Sequence, residues 1–468
     1  MLFDSLAFLL FFIVVTTLYF LLPFKGRWIL LLLGSCFFYM FFKPIYILIL
    51  FFTILVDYLA GILIEQEKNL QKRQLLLILS IVSNVGVLAF FKYFNFINES
   101  ISSLGHMIGI ENKIPYLAIL LPIGLSFHTF QAMSYTFEVY YGRQKAERHL
   151  GIYSLYVMFY PQLVAGPIER PQNILPQLKE NKTFSFENAK VGISLIAFGL
   201  FKKIVIADRL AIYVNEVYRN VESMNSISVF LAMIFFSFQI YCDFSGYSDI
   251  ARGTAKFMGY DLMLNFNRPY ASQSISEFWT RWHISLSTWF RDYLYIPLGG
   301  NRVSRIKWLR NLSIVFLLSG IWHGANWTYM IWGALHAVFL IFAITTINHR
   351  KKFMIASKNI DKIVNQFLVF LLVSFAWIFF RAETISLAID VIKKLFSFDF
   401  SLNMLQLTAY KGPLNLFITF IVLGAWYFIS VPDKRTSNVR TVVYLIFLSL
   451  FIIFTGKSDS AAFIYFQF

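Results

Sequence analysis

Apolar residues fill this chain in long blocks parted by short polar interruptions. Blocks of roughly 15 to 24 residues begin at Leu6, Trp28, Ile45, Gln74, Tyr116, Val191, Ile227, Leu312, Ile363, Leu414 and Thr441, each close to the ~20 residues that carry an α-helix across a hydrocarbon core. The pattern predicts an all-α polytopic membrane protein. Polar stretches at 170–190, 249–310 and 382–413 are too short to fold as separate domains, so they read as interfacial or re-entrant elements of one integral-membrane domain covering 1–468. The first block follows Met1-Leu2-Phe3-Asp4-Ser5, with no basic n-region before it and no small-residue cleavage site after it. It is therefore expected to stay in the mature protein.

One block breaks the pattern. From Leu312 to Ile347 the chain is apolar for longer than one crossing needs, and both flanks are basic: Arg302, Arg305, Lys307 and Arg310 before, His349, Arg350, Lys351 and Lys352 after. Positive flanks favour the cytoplasm, so the pattern predicts a hairpin or broken helix over 312–347, interrupted near Gly324. Inside it lies SGIWHGANW, residues 319–327. A histidine there is costly against lipid and is expected to face the protein interior or a water-filled cavity, which makes it a functional candidate. A purely interhelical hydrogen bond is the competing reading.

Composition sharpens the class. The chain is 58% hydrophobic and 14% charged, more apolar and less charged than a soluble globular protein. Its 41 Lys and Arg exceed 25 Asp and Glu, and the early cations fall in alternate loops: Lys25 and Arg27, then Lys68, Lys72 and Arg73, then Arg143, Lys145 and Arg148. Lys113 alone serves the loop 95–115 against Glu99 and Glu111. The positive-inside rule therefore puts that loop and the amino terminus outside. Such charge signals topology and contact with anionic lipid, and its scatter gives no stripe along which nucleic acid could bind. Cys36 and Cys242 form no metal or disulfide motif, and are expected to be free thiols.

Candidate chemistry gathers in two places. The segment 249–310 mixes Trp279, Trp282 and Trp289 with Arg281, His283, Arg291 and Asp292. Such a mixture suits the headgroup layer or a surface for a phosphate-bearing thioester donor. Glu277, Arg281 and His283 are a candidate polar cluster, with Ser287 one helical turn beyond His283. In the second place, His323 is a candidate general base, since an imidazole titrates near neutrality and burial keeps it uncharged. His336 shares its site only if the helix breaks between them. Neither histidine has a third ligand at metal spacing, so no zinc site is expected. Without a GxSxG elbow or a triad order, the nucleophile is expected to be an incoming hydroxyl. Asn326 is open to two readings, an oxyanion donor or a helix cap.

Four blocks then carry a resemblance. LPIGLSFHTFQAMSYTFEVYYG (121–142), FYPQLVAGPIERP (159–171), RWHISLSTWFRDYLYIPLGGNR (281–302) and SGIWHGANWTYMIWGALHA (319–337) resemble the signature blocks of the membrane-bound O-acyltransferases, in the bacterial branch that O-acetylates alginate and peptidoglycan. The resemblance implies a ring of roughly eleven transmembrane helices, plus re-entrant and interfacial ones, around a central tunnel, each crossing ~20 residues long. It implies His323 and His283 as catalytic residues. It also implies a cytoplasmic thioester donor, acetyl-CoA, with no permanently bound cofactor, and Arg281, Arg291 and Arg302 are then candidates for its phosphates. Phe463-Ile464-Tyr465-Phe466-Gln467-Phe468 resembles the family's FxYxxF motif, whose tyrosine carries the acyl group; an aromatic plug is the plainer reading. The implied partners are membrane lipid, an extracytoplasmic SGNH-type acetyltransferase and a polysaccharide acceptor, in a bacterial inner membrane. D-alanyl transfer to teichoic acid and, in a different class, proton-coupled transport remain as alternatives.

Overall fold

The computed structural model describes residues 1–117, 121–350, 358–399, 419–424, 426, 429–456 and 463–464. Among them no strand occurs, and the helices are, in chain order, α1 (Leu6–Leu21), α2 (Phe24–Met40), α3 (Ile47–Gln66), α4 (Leu70–Leu88), α5 (Phe94–Met107), α6 (Leu125–Tyr140), α7 (Leu150–Met158), α8 (Pro171–Leu178) and α9 (Phe186–Leu200), then α10 (Asp208–Arg219), α11 (Ser226–Phe257), α12 (Ile275–Arg281), α13 (Ile284–Phe290), α14 (Arg305–His323), α15 (Trp327–Arg350), α16 (Lys358–Arg381), α17 (Ile385–Leu395) and α18 (Asn438–Thr455). Among the described residues, six stretches are long and apolar enough to cross a membrane: Pro44–Gln66, Leu70–Met107, Ser226–Phe257, Trp327–Thr346, Asn359–Arg381 and Asn438–Thr455. Their outer faces carry exposed Leu48, Leu79, Phe230, Phe342, Ile363 and Phe454, as a lipid-facing surface would. The protein is a multi-pass membrane protein.

The apolar blocks and the helices differ where local chemistry intervenes. In the block that begins at Tyr116, α6 starts at Leu125, where Gly124 adopts a left-handed φ of 76° as the cap. The block at Val191 widens into a π-turn at Phe201–Ala207 before α10. The block at Leu414 lies partly outside the described residues.

The chain divides into two compact units. The first comprises residues 1–196, 248–263 and 432–437. Here Asp57 of α3 is buried, and its carboxylate accepts hydrogen bonds from Ser80 and Asn84 of α4 and Thr136 of α6. Three neutral donors share one carboxylate, which lets a polar residue sit inside an apolar bundle and fixes the three helices in register. A second network explains two of the blocks that carried the resemblance. The Tyr156 hydroxyl donates to the carbonyls of Gln131 and Glu169, and the Gln131 and Gln162 amides return bonds to the Tyr156 carbonyl. Glu169 itself accepts from the Asn173 amide and the Met263 N–H. Those blocks brace irregular backbone that would otherwise be unsatisfied.

The second unit comprises 197–247, 264–431 and 438–468. Its centre is the α14–α15 hairpin. A Cβ on Gly320 would lie 2.4 Å from the Tyr329 carbonyl oxygen, and one on Gly333 would lie 2.4 Å from that of Phe316. The two backbones therefore touch, as small residues allow in apolar surroundings. We expect Gly320→Val to force the hairpin apart at a cost of about 1–3 kcal/mol or more; a lowered thermal midpoint and reduced monodisperse yield in detergent check this.

Candidate active site

His323 is the last residue of α14, and Gly324 after it is extended (φ −165°, ψ 153°). Asn326 then restarts the chain: its side-chain oxygen accepts from the Thr328 N–H at 3.0 Å, while its amide donates to the Glu383 carbonyl at 2.7 Å. Both ends of its carboxamide are thus engaged. Of the two readings, the structure supports the helix cap.

The His323 imidazole is 3% exposed and enclosed by aromatic rings. Trp322 and Trp332 lie edge-on to it at 4.9 Å between centroids, and Phe380 of α16 lies at 5.3 Å. Trp332 also stacks on Trp377 at 5.6 Å. The rings supply apolar bulk, and each indole adds one N–H donor.

His283 reaches the same cluster by an unusual backbone. It joins α12 to α13 with φ 41° and ψ 55°, in the left-handed region. A non-glycine residue adopts that conformation at a cost and keeps it when its surroundings hold it there. Asn265 does so: its carbonyl accepts from the Ile284 N–H, and its side chain accepts from both the N–H and the hydroxyl of Ser285. The result turns the imidazole inward, fully buried, edge-on to Phe244 at 4.7 Å and 6.0 Å from Trp322. Trp322 therefore touches both imidazoles. Burial pushes the His283 imidazole down to about 3.

The expected cluster of Glu277, Arg281 and His283 does not form. Glu277 pairs with Arg281 at 2.7 Å, one turn apart and partly exposed, while the left-handed turn carries His283 away. Ser287 donates to the Trp282 carbonyl at 3.1 Å. Arg291 is exposed and pairs with Asp292 at 2.8 Å, and Arg302 is exposed. The three arginines thus stay near the surface. His336 is buried beside Trp332, 5.0 Å between ring centroids, so one indole lies against both His323 and His336. Neither nitrogen of His336 makes a hydrogen bond among the described residues. His128 is buried in α6 of the first unit. Tyr465 lies outside the described residues, but Phe463 and Ile464 before it are described and buried.

Sequence reading missed Lys203, Asp208 and Asp243, a buried charged group in the second unit. Lys203 Nζ lies 2.9 Å from a carboxylate oxygen of each aspartate. The only signal was three ionisable residues inside apolar blocks, and residues 203 and 243 gave no sign of meeting.

Comparison with known proteins identifies the family. The profile of the membrane-bound O-acyltransferase family (MBOAT) matches residues 64–382. The chain is 32% identical to a peptidoglycan O-acetyltransferase of Helicobacter pylori, over 94% of this chain and 91% of the relative. It is 34% identical to a probable alginate O-acetylase AlgI of Pseudomonas putida, over the whole of both. A teichoic acid D-alanyltransferase of Bacillus subtilis matches at 30% over 47% of this chain and 58% of the relative. The chain belongs to the membrane-bound O-acyltransferase family. It is an O-acyltransferase.

The depressed His283 sets a pH dependence. The unfolded chain binds its proton near the ordinary pKa of about 6.5, whereas the folded unit refuses it down to about 3. Stability is therefore expected to fall as pH drops through that window. His283→Asn tolerates the left-handed backbone and removes the titration. Thermal midpoints in detergent between about pH 7.5 and about pH 5 should decline less steeply in the variant; equal slopes would assign the acid sensitivity elsewhere.

Proposed function

We propose that this chain takes an acetyl group from a cytoplasmic thioester, acetyl-CoA, onto a hydroxyl within the membrane and passes it outward for O-acetylation of an exported or cell-surface polysaccharide. The observation that carries this reading is the buried aromatic enclosure shared by His323 and His283, in a chain similar over most of its length to an alginate O-acetylase and a peptidoglycan O-acetyltransferase. His323 acts as general base. It takes the hydroxyl proton as oxygen attacks the thioester carbonyl; the C–O bond forms, the C–S bond breaks, and the departing thiolate takes the proton from the imidazolium. His283 flanks the same tryptophan and orients the reacting groups. Arg281, Arg291 and Arg302 contribute charge on the donor side, where phosphate-bearing donors collect.

The hydroxyl is that of Tyr465. A phenol of pKa about 10 is protonated at neutral pH and needs a base to attack, which is the service the buried His323 imidazole gives. The acetyl ester on Tyr465 is then consumed outside by an SGNH-type acetyltransferase that delivers it to the polymer. A ring of helices thinned around a tunnel reached from both faces, in an inner membrane with the amino terminus outside, completes this reading. D-alanyl transfer to teichoic acid is the second reading. It is disfavoured because the D-alanyltransferase similarity covers under half of this chain. A proton-coupled transporter would produce gradient-driven flux and no acylated product.

Membranes carrying the wild-type chain should transfer label from acetyl-CoA to polymer. His323→Ala should lower that transfer by about 100- to 10,000-fold, the usual contribution of a general base, and Tyr465→Phe should abolish it. Wild-type transfer by His323→Ala would remove the base, and wild-type transfer by Tyr465→Phe would remove the shuttle.

A further inference from the structure

The second unit holds a charged group that the acyl transfer above leaves unused. Asp208, Asp243 and Lys203 are buried together, and Lys203 bridges the two carboxylates at 2.9 Å each. A carboxylate in apolar surroundings carries a charge that water does not reach. A buried charge of that kind is tolerated only when further donors reach it. The second oxygen of Asp243 receives one: the backbone N–H of Ile464, at 2.7 Å.

That bond joins positions far apart in sequence and fixes main chain, not side chain. Beside it the neighbouring ring is gripped as well. Phe463 stacks on Tyr247 with centroids 4.6 Å apart and planes at 27°, and lies 5.9 Å from Phe244. Asp243 and Tyr247 stand one turn apart on α11, so they face the same side. Together they make a slot with an anionic acceptor for one amide and an aromatic wall for the ring before it. Phe463 is 3% and Ile464 5% exposed. Phe244, the wall's other ring, is the one set edge-on to His283 at 4.7 Å. The slot and the histidine cluster therefore share a side chain.

We propose that Asp243, paired with Lys203, is a main-chain clamp that docks Phe463 and Ile464 beside Phe244 and so anchors the chain that leads into Tyr465, the group that acts in acyl transfer. The clamp rests on the shuttle reading for its purpose, though not for its geometry. Three physical features fit it to the task. A charge-assisted bond to a backbone N–H is stronger than a neutral one. Lys203 pairs with one Asp243 oxygen, and the Ile464 N–H donates to the other. The stacked Phe463 sets register, which a main-chain bond alone would leave free to slip by a residue. One residue spans at most ~3.6 Å, so a segment fixed at 464 confines the reach of the residue that follows. Asp243 is thus a positioning residue, acting through the segment it holds.

Two substitutions in the full chain separate the parts. Asp243→Asn leaves Lys203 its bond to Asp208 but offers one acceptor where two are needed. Phe463→Ala removes the stacked ring and leaves the charged group intact, which covers the case in which the first variant folds poorly. Hydrogen exchange followed by mass spectrometry, in detergent, should show the peptide containing Ile464 exchanging roughly tenfold faster in both variants while helix peptides keep their protection. In acetyl transfer, kcat should fall about tenfold or more with KM for acetyl-CoA held within about twofold, the mark of an interaction that acts after donor binding. Wild-type exchange at Ile464 in both variants would overturn the clamp, whatever the reaction. Fast exchange with unchanged kcat would overturn its positioning role; if Tyr465→Phe is then also fully active, the fault lies with the shuttle and the docking geometry stands.

Discussion

A helix that ends inside an apolar core has no water to satisfy its terminal groups, and the arrangement around His323 answers that constraint. The α14 backbone stops at His323, runs extended through Gly324 and restarts under the Asn326 cap. It can do so in so few residues only because Gly320 and Gly333 let the two helices touch backbone to backbone. A side chain at either position would push α15 outward and carry Trp332 with it. The aromatic enclosure of the imidazole is thus a consequence of the hairpin, and the hairpin is a consequence of two missing Cβ atoms.

The same economy governs His283. A left-handed backbone at a histidine costs conformational energy, and Asn265 meets that cost with hydrogen bonds to both Ile284 and Ser285. What the strain achieves is direction. The turn between α12 and α13 sends the imidazole to Phe244 and Trp322, away from the partly exposed pair of Glu277 and Arg281. Two imidazoles separated by forty positions in sequence end against one indole, and acyl transfer to a hydroxyl is chemistry that such a dry pair can perform.

How much of this was legible follows from what kind of information each feature needs. The membrane class and the family were readable, because apolar blocks of crossing length and several long motifs in order are properties of a single sequence. The excess length of the block from Leu312 was readable too. Its turning register was not, since that depends on which glycines meet across the hairpin. The grouping of His283 with Glu277 and Arg281 failed because positions two apart do not share a helix face, and nothing in RWHIS announces the left-handed residue that sends the imidazole elsewhere. Lys203, Asp208 and Asp243 were invisible for a different reason: one sequence shows three isolated charges in apolar blocks, and only folding shows that the lysine pairs with both aspartates.

The central claim is that the enclosed imidazole of His323 activates a hydroxyl of this chain toward a thioester. Its most direct test is peptide mapping by mass spectrometry after a brief reaction of the purified protein with acetyl-CoA in the absence of any acceptor. The account predicts a single acetyl ester on the Tyr465 peptide of the wild-type protein and none in His323→Ala. Acetyl on another residue in the wild type, or the same Tyr465 ester without His323, would contradict it.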